Sequence, residues 1–309
     1  MVIEMRGVTK RYGDVRALDG IDLDVAAGEV VAVLGPNGAG KTTLINVMLG
    51  LTRPTSGTVR CFGGDPARFD ARSRVGVMLQ ESGVPAALRV HEVVGLFQRY
   101  YPYTLPLGEL LERADLTSKR DAAVSTLSGG QRQRLYFALA IAGDPDLVFL
   151  DEPTVALDVS ARRAFWEQVE GFAELGKAVL FSTHYLDEAD AVARRVVVVD
   201  HGRVIAEGTP HEIKRLVADT TVRFHADVAL ERLRALPQVQ RAEVEEGFVV
   251  IATNEPEALL RGLFDDGVTV RDLRVTDTDL EAAFVHLTNG GRQAASTGAG
   301  SATSQGVHA

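Results

Sequence analysis

Short apolar runs, separated by polar or glycine-bearing turns, recur along most of this chain, and their spacing predicts its elements. Val30–Leu34, Leu147–Leu150, Ala178–Ser182 and Arg195–Asp200 are mostly continuous apolar runs of strand length, the pattern of strands buried on both faces. Residues 2–34 alternate apolar and polar in short segments broken by Gly7, Gly13, Gly20 and Gly28, which predicts antiparallel strands leading into Val30–Leu34. Thr58–Phe62 and Val75–Leu79 are two more strands. Helical patterns fill 159–175 and 186–194, and strands alternating with helices predict a parallel sheet with ligands at its carboxyl edge.

Two stretches depart from that alternation. Residues 83–143 are punctuated by proline at 85, 102 and 106 but helical between, with Val90, Val93, Val94, Phe97 and Tyr100 at helical spacing; this reads as a helical insertion whose stripe is core. Beyond Val217 the pattern becomes strand 221–224, helix 228–236, strand 239–245, strand 248–252, helix 256–265 and strand 268–275. That order, βαββαβ, is the ferredoxin-like arrangement of a small α+β module spanning 218–289. A last helix is expected at 278–287. The segment 290–309 has almost nothing to bury and is expected to be disordered.

Charge sharpens this division. Residues 218–289 hold 7 Arg, no Lys and 14 Asp plus Glu, so most of the chain's net charge of −9 lies there. Such acidity argues against nucleic acid as a partner. One cysteine, Cys61, excludes an internal disulfide and suits a reducing cytoplasm. No apolar run approaches the 18 or so residues of a membrane span, and residues 1–6 lack signal-peptide character, so a soluble protein of about 1–217 plus an accessory module is expected.

The chemistry begins at Gly35-Pro36-Asn37-Gly38-Ala39-Gly40-Lys41-Thr42, which fits the phosphate-binding loop G-x-x-x-x-G-K-[ST] between a strand and the helix starting near Thr43. Glycines let successive backbone N–H groups point inward at a positive helix end, forming an anion nest. Lys41 can reach the β- and γ-phosphates, and the Thr42 hydroxyl can ligate Mg²⁺. Composition alone would produce this pattern about one time in a hundred in a chain of this length. A nucleoside triphosphate is the expected ligand.

Leu147–Leu150 ends in Asp151-Glu152. Neighbours on a strand point in different directions, so the two carboxylates divide labour: Asp151 to hold Mg²⁺, Glu152 to accept a proton from the attacking water or to orient it. A second anion-seeking turn, Ser128-Gly129-Gly130-Gln131, opens the helical run from Arg132. Read alone it is an ordinary capped helix start. Two such turns in a chain with one phosphate loop call for a joint explanation.

Leu127–Gln131, with Gly35–Thr42 before it and Leu147–Glu152 after it, closely resembles the ATP-binding subunits of ABC transporters. The resemblance covers residues 2 to about 217. It implies an α/β P-loop NTPase core of the ABC type with antiparallel β and helical subdomains. It further implies Tyr12 as an adenine-stacking aromatic, Gln80 as a metal-site glutamine coupled to the helical region, Asp158 beside the partner, and His184 at the γ-phosphate. Val155 departs from the small residue expected there. The resemblance also implies a head-to-tail dimer, a homodimer being expected, in which ATP and Mg²⁺ lie between one subunit's loop and Ser128, Gly129, Gly130 and Gln131 of the other. Hydrolysis would then drive an integral membrane permease, placing the chain at the cytoplasmic face of the membrane.

The acidic module, its ending Asp279–Thr288 and the run Glu81–Pro85 look like the ATPase subunits of drug and antibiotic exporters. A soluble ATP-driven switch and an importer ATPase are the competing expectations. The first usually has two nucleotide domains or a long coiled-coil insertion, the second a barrel-like extension.

Overall fold

A computed structural model describes residues 1–79, 83–217, 220–226, 228–245, 247–276, 280, 281, 283–285, 287 and 288. The chain forms two compact units, Met1–Thr209 and a second from Pro210 onward. Composition placed the change near Val217; the helix Pro210–Val217 groups with the second unit instead.

The first unit is built on a six-stranded sheet. Its parallel strands are β3 (Val30–Leu34), β5 (Val75–Met78), β6 (Leu147–Asp151), β7 (Ala178–Ser182) and β8 (Arg195–Asp200). The order is β5-β6-β7-β3-β8-β9, with β9 (Arg203–Gly208) antiparallel at one edge. Every residue of β3 and β7 is buried, as a sheet covered on both faces requires. A second sheet, β2-β1-β4, joins β1 (Ile3–Tyr12), β2 (Val15–Val25) and β4 (Ser56–Cys61), all antiparallel. One apolar core binds both sheets, with Ile3, Met5, Val31, Val33, Leu44, Phe149 and Leu180 in a common cluster.

β1 and β2 are longer than their glycines suggested. Gly7 and Gly20 take positive φ of 56° and 75° inside the strands, and the β1–β2 register shifts between Met5 and Val8. There glycine makes a bulge and the strand continues.

Helix α1 (Lys41–Met48) follows β3, and α2 (Phe69–Arg72) precedes β5. The insertion holds α3 (Val90–Gln98), α4 (Leu107–Arg113) and α5 (Gly129–Ala140). Of its predicted stripe Val90, Val93 and Val94 are buried, whereas Tyr100 is exposed. α6 (Val159–Glu174) and α7 (Leu186–Val192) complete the unit. No helix among the described residues is long and apolar enough to cross a membrane.

The second unit contains α8 (Pro210–Val217), β10 (Thr220–His225), α9 (Leu230–Arg234), β11 (Arg241–Glu245), β12 (Phe248–Thr253), α10 (Pro256–Asp265) and β13 (Arg271–Thr276). Its antiparallel sheet runs β11-β12-β10-β13, the strand order of a ferredoxin-like βαββαβ module. Val222, Phe224, Ile251, Leu259 and Leu263 form its core. Of the helix expected at 278–287, residues 280, 281, 283–285 and 287 are helical, and the others lie outside the described residues, as does 290–309.

Candidate functional site

Strand order explains how distant sequence segments meet. β7 lies between β6 and β3, so the loops leaving all three strands emerge side by side at the carboxyl edge of the sheet. Ser182, the last residue of β7, is in register with Val33 on one side and Asp151 on the other.

The loop after β3 is held by close backbone approach. A Cβ on Gly35 would stand 2.2 Å from the Val199 carbonyl oxygen, and one on Gly40 would stand 2.5 Å from that of Ala17. Gly40, at φ 107°, also caps the start of α1, a conformation open to glycine and costly elsewhere. Lys41 folds over the loop, its Nζ donating to the Gly35 carbonyl at 2.6 Å and the Pro36 carbonyl at 3.1 Å. Burial pushes the Lys41 ammonium below its ordinary value, against the opposing pull of Glu152 and Asp151.

Asn37, Gly38, Ala39, Gly40, Lys41, Thr42 and Thr43 share a cavity of about 550 Å³ with Asp151, Glu152 and Ser182. That volume is of the size that holds a small-molecule ligand. Its other wall comes from Val15–Ala17 and from His201-Gly202 after β8. Asp151 accepts a hydrogen bond from the Ser182 hydroxyl. Glu152 sits at φ 48°, a conformation sparsely populated by residues with a Cβ, and its N–H donates to the Ser182 carbonyl at 3.0 Å. Both carboxylates line the same cavity. The Glu152 carboxylate lies 3.3 Å from His184 Nδ1.

Tyr12 ends β1 half-exposed, with Lys10 Nζ 4.9 Å from its ring centre; it is paired with Val15, which lines the cavity. Gln80 lies outside the described residues, as do Glu81 and Ser82.

Ser128–Gln131 and Asp158 contribute no wall to that cavity. Ser128 caps α5: its hydroxyl accepts from the Gln131 N–H at 3.2 Å, and the Gln131 side chain accepts from the Ser128 N–H at 3.0 Å. Asp158 caps α6, accepting from the Ala161 N–H at 2.8 Å and the Ser160 hydroxyl at 2.7 Å, and these bonds hold its carboxyl below the usual range. The two caps belong to one surface. A Cβ on Gly129 would stand 3.2 Å from that of Ala156, and one on Gly130 would stand 3.2 Å from the Leu157 side chain. Each chain therefore presents two separate polar centres, one around Lys41 and Glu152 and one around Ser128 and Asp158.

Sequence reasoning missed Ser182, His201 and Glu188. Ser182 had a signal, a hydroxyl closing an otherwise apolar strand. Glu188 had none, since an acidic residue in the first turn of a helix ordinarily faces water; here it is 3% exposed.

A family model described as ABC transporter matches residues 18–155. The Nod factor export ATP-binding protein I of Cupriavidus metallidurans is 40% identical over 93% of this chain and 97% of its own length. The daunorubicin/doxorubicin resistance ATP-binding protein DrrA of Streptomyces peucetius is 39% identical over 92% and 88%. Among solved structures, an ATP-binding subunit of an ABC transporter superposes with a TM-score of 0.64, at 28% identity over 70% of this chain and 93% of that one. The dimeric post-hydrolysis state of the ATP-binding cassette MJ0796, bound to ADP and Pi, does so at 0.61, with 28% identity over 67% and 98%.

Proposed function

We propose, from the premise that this chain belongs to the ATP-binding subunits of ABC transporters, that it is the ATPase of an exporter and that its two polar centres complete each other across a dimer. The observation that carries the hydrolytic role is the Glu152 carboxylate, which lines the cavity together with the phosphate loop and lies 3.3 Å from His184. Backbone amides of Gly38–Lys41 and the Lys41 ammonium hold the phosphates of ATP, Thr43 adds a hydroxyl at the same helix start, and Tyr12 stacks on adenine. Glu152 takes the proton of the attacking water, and His184 contacts the γ-phosphate.

Thr42 and Asp151 offer a hydroxyl and a carboxylate in the same cavity. This hard oxygen set fits Mg²⁺, which takes one or two carboxylates and completes its shell with phosphate and water. Gln80 is proposed as a further ligand. The metal would neutralise charge on the phosphates.

In the dimer, Ser128, Gly129, Gly130, Gln131 and Asp158 of one subunit face the ATP held by the other. ATP closes the pair and hydrolysis releases it, driving a separate membrane permease from the cytoplasmic face. Export is favoured over import or a soluble switch because the similar proteins aligned over nearly the whole chain, second unit included, are named for export and for daunorubicin resistance. The transported compound is on this reading a drug, an antibiotic or another hydrophobic molecule.

Glu152→Gln tests the hydrolytic assignment. The variant should bind ATP as the parent does, form an ATP-stabilised dimer on sizing, and lose about 10²–10⁴-fold in turnover. Hydrolysis at the parent rate would refute it.

A further inference from the structure

Glu188 is a carboxylate buried to 3% exposure that takes no part in holding ATP in the reading above. Burying a charge is costly unless every lone pair finds a partner, and this one finds three. Oε1 accepts from the Thr154 hydroxyl at 2.5 Å, and Oε2 accepts from the Thr183 hydroxyl at 2.9 Å. Arg162 Nε stands 3.2 Å from Oε1, as an ion pair and not an aligned hydrogen bond. Thr154 and Thr183 are themselves buried, at 1% and 6% exposure.

The partners matter because of where they sit in the chain. Thr154 lies two residues after Glu152, and Thr183 immediately precedes His184. The Thr183 hydroxyl also accepts from the Tyr185 N–H at 3.0 Å, and Tyr185 packs between His184, at 4.0 Å between ring centres, and the Arg162 guanidinium, at 4.3 Å. The loop leaving β6 and the loop leaving β7 are thus pinned to the two oxygens of one carboxylate. Glu152 and His184 ride on those loops, one of them in a left-handed backbone conformation that surrounding structure must enforce.

We propose that Glu188 is the positioning residue of the hydrolytic site, a buried strut that fixes the Glu152 carboxylate against the His184 ring through Thr154 and Thr183. The proposal rests on the assignment of Glu152 and His184 to hydrolysis. Its consequence is a loss confined to turnover, because neither threonine nor Glu188 lines the cavity around the phosphate loop.

The test uses the full-length chain, with Thr154→Val, Thr183→Val, Glu188→Ala and Glu188→Gln beside Glu152→Gln and His184→Ala as references. The valines are near in shape to threonine and keep the core filled. Each should lower kcat by about tenfold or more while KM and ATP affinity stay within about twofold, since small misplacements of reacting groups cost up to ~100-fold. Glu188→Ala should lose more, and Glu188→Gln should recover part, because its amide can still accept from one threonine and donate to the other. A kcat within twofold of the parent in either valine variant overturns the proposal, as does a matching loss of ATP affinity, the mark of general loosening. If Glu152→Gln and His184→Ala lose turnover while the valines do not, only the strut falls. If those two references keep parental turnover, the site assignment fails and takes the strut with it.

Discussion

At Gly35 the structural demand is for space and at Gly38 it is for backbone freedom, and the two glycines separate those effects. An added Cβ at Gly35 meets a main-chain carbonyl of β8 at 2.2 Å, which no side-chain rotation can relieve. Gly38, at φ 81°, has nothing within 4 Å of the same position. Gly35→Ala should therefore cost toward the upper end of the ~1–3 kcal/mol typical of overpacking, and should disturb the β3–β8 pairing that carries the loop. Gly38→Ala should cost about 1 kcal/mol, from backbone strain alone. Thermal unfolding of the two variants decides the matter, and equal shifts would contradict this account. Most residues of the cavity were legible because their motifs fix type and spacing together: the phosphate loop and the paired carboxylates closing an apolar strand. Glu188 and the left-handed turn at Glu152 were not, since both are created by strands that meet only in three dimensions.

Among the elements, strands buried on both faces were the easiest to read. β3, β7 and β8 begin and end where their apolar runs do, and β6 extends one residue further, to Asp151. The edge strand β9 was missed, because Arg203-Val204-Ile205-Ala206-Glu207-Gly208 buries only Ala206 and so shows neither a continuous run nor clean alternation. Ends in the second unit were also displaced, as in β13, which starts at Arg271 rather than 268 and is exposed along its length. The helix α6 shows how packing reinforces the carboxyl edge of the sheet. Phe165 and Trp166 extend an aromatic chain from Phe137 to Phe181 on β7, with ring centres 4.6–5.4 Å apart. Trp166 is the chain's one tryptophan and is 5% exposed. Trp166→Ala should cost about 3–5 kcal/mol by cavity formation, measured by denaturant unfolding followed by circular dichroism. A shift of under about 1 kcal/mol would show that α6 is not anchored there.

At the scale of the whole molecule, the proposed mechanism rests on the two polar centres. The phosphate loop and its carboxylates open into one cavity, whereas Ser128 and Asp158 cap two helices on a different surface alongside Ala156 and Leu157. On the proposed reading, one chain holds half of each of two sites. Lys41→Ala removes the phosphate lysine and Ser128→Arg fills the partner-facing turn, so each variant alone, as a homodimer, has two damaged sites and should be nearly inactive. Mixing the two, with differential tags to confirm that mixed dimers form, gives one doubly damaged site and one intact site in each mixed dimer. ATPase activity should partly return on mixing; no recovery in confirmed mixed dimers would contradict the shared site.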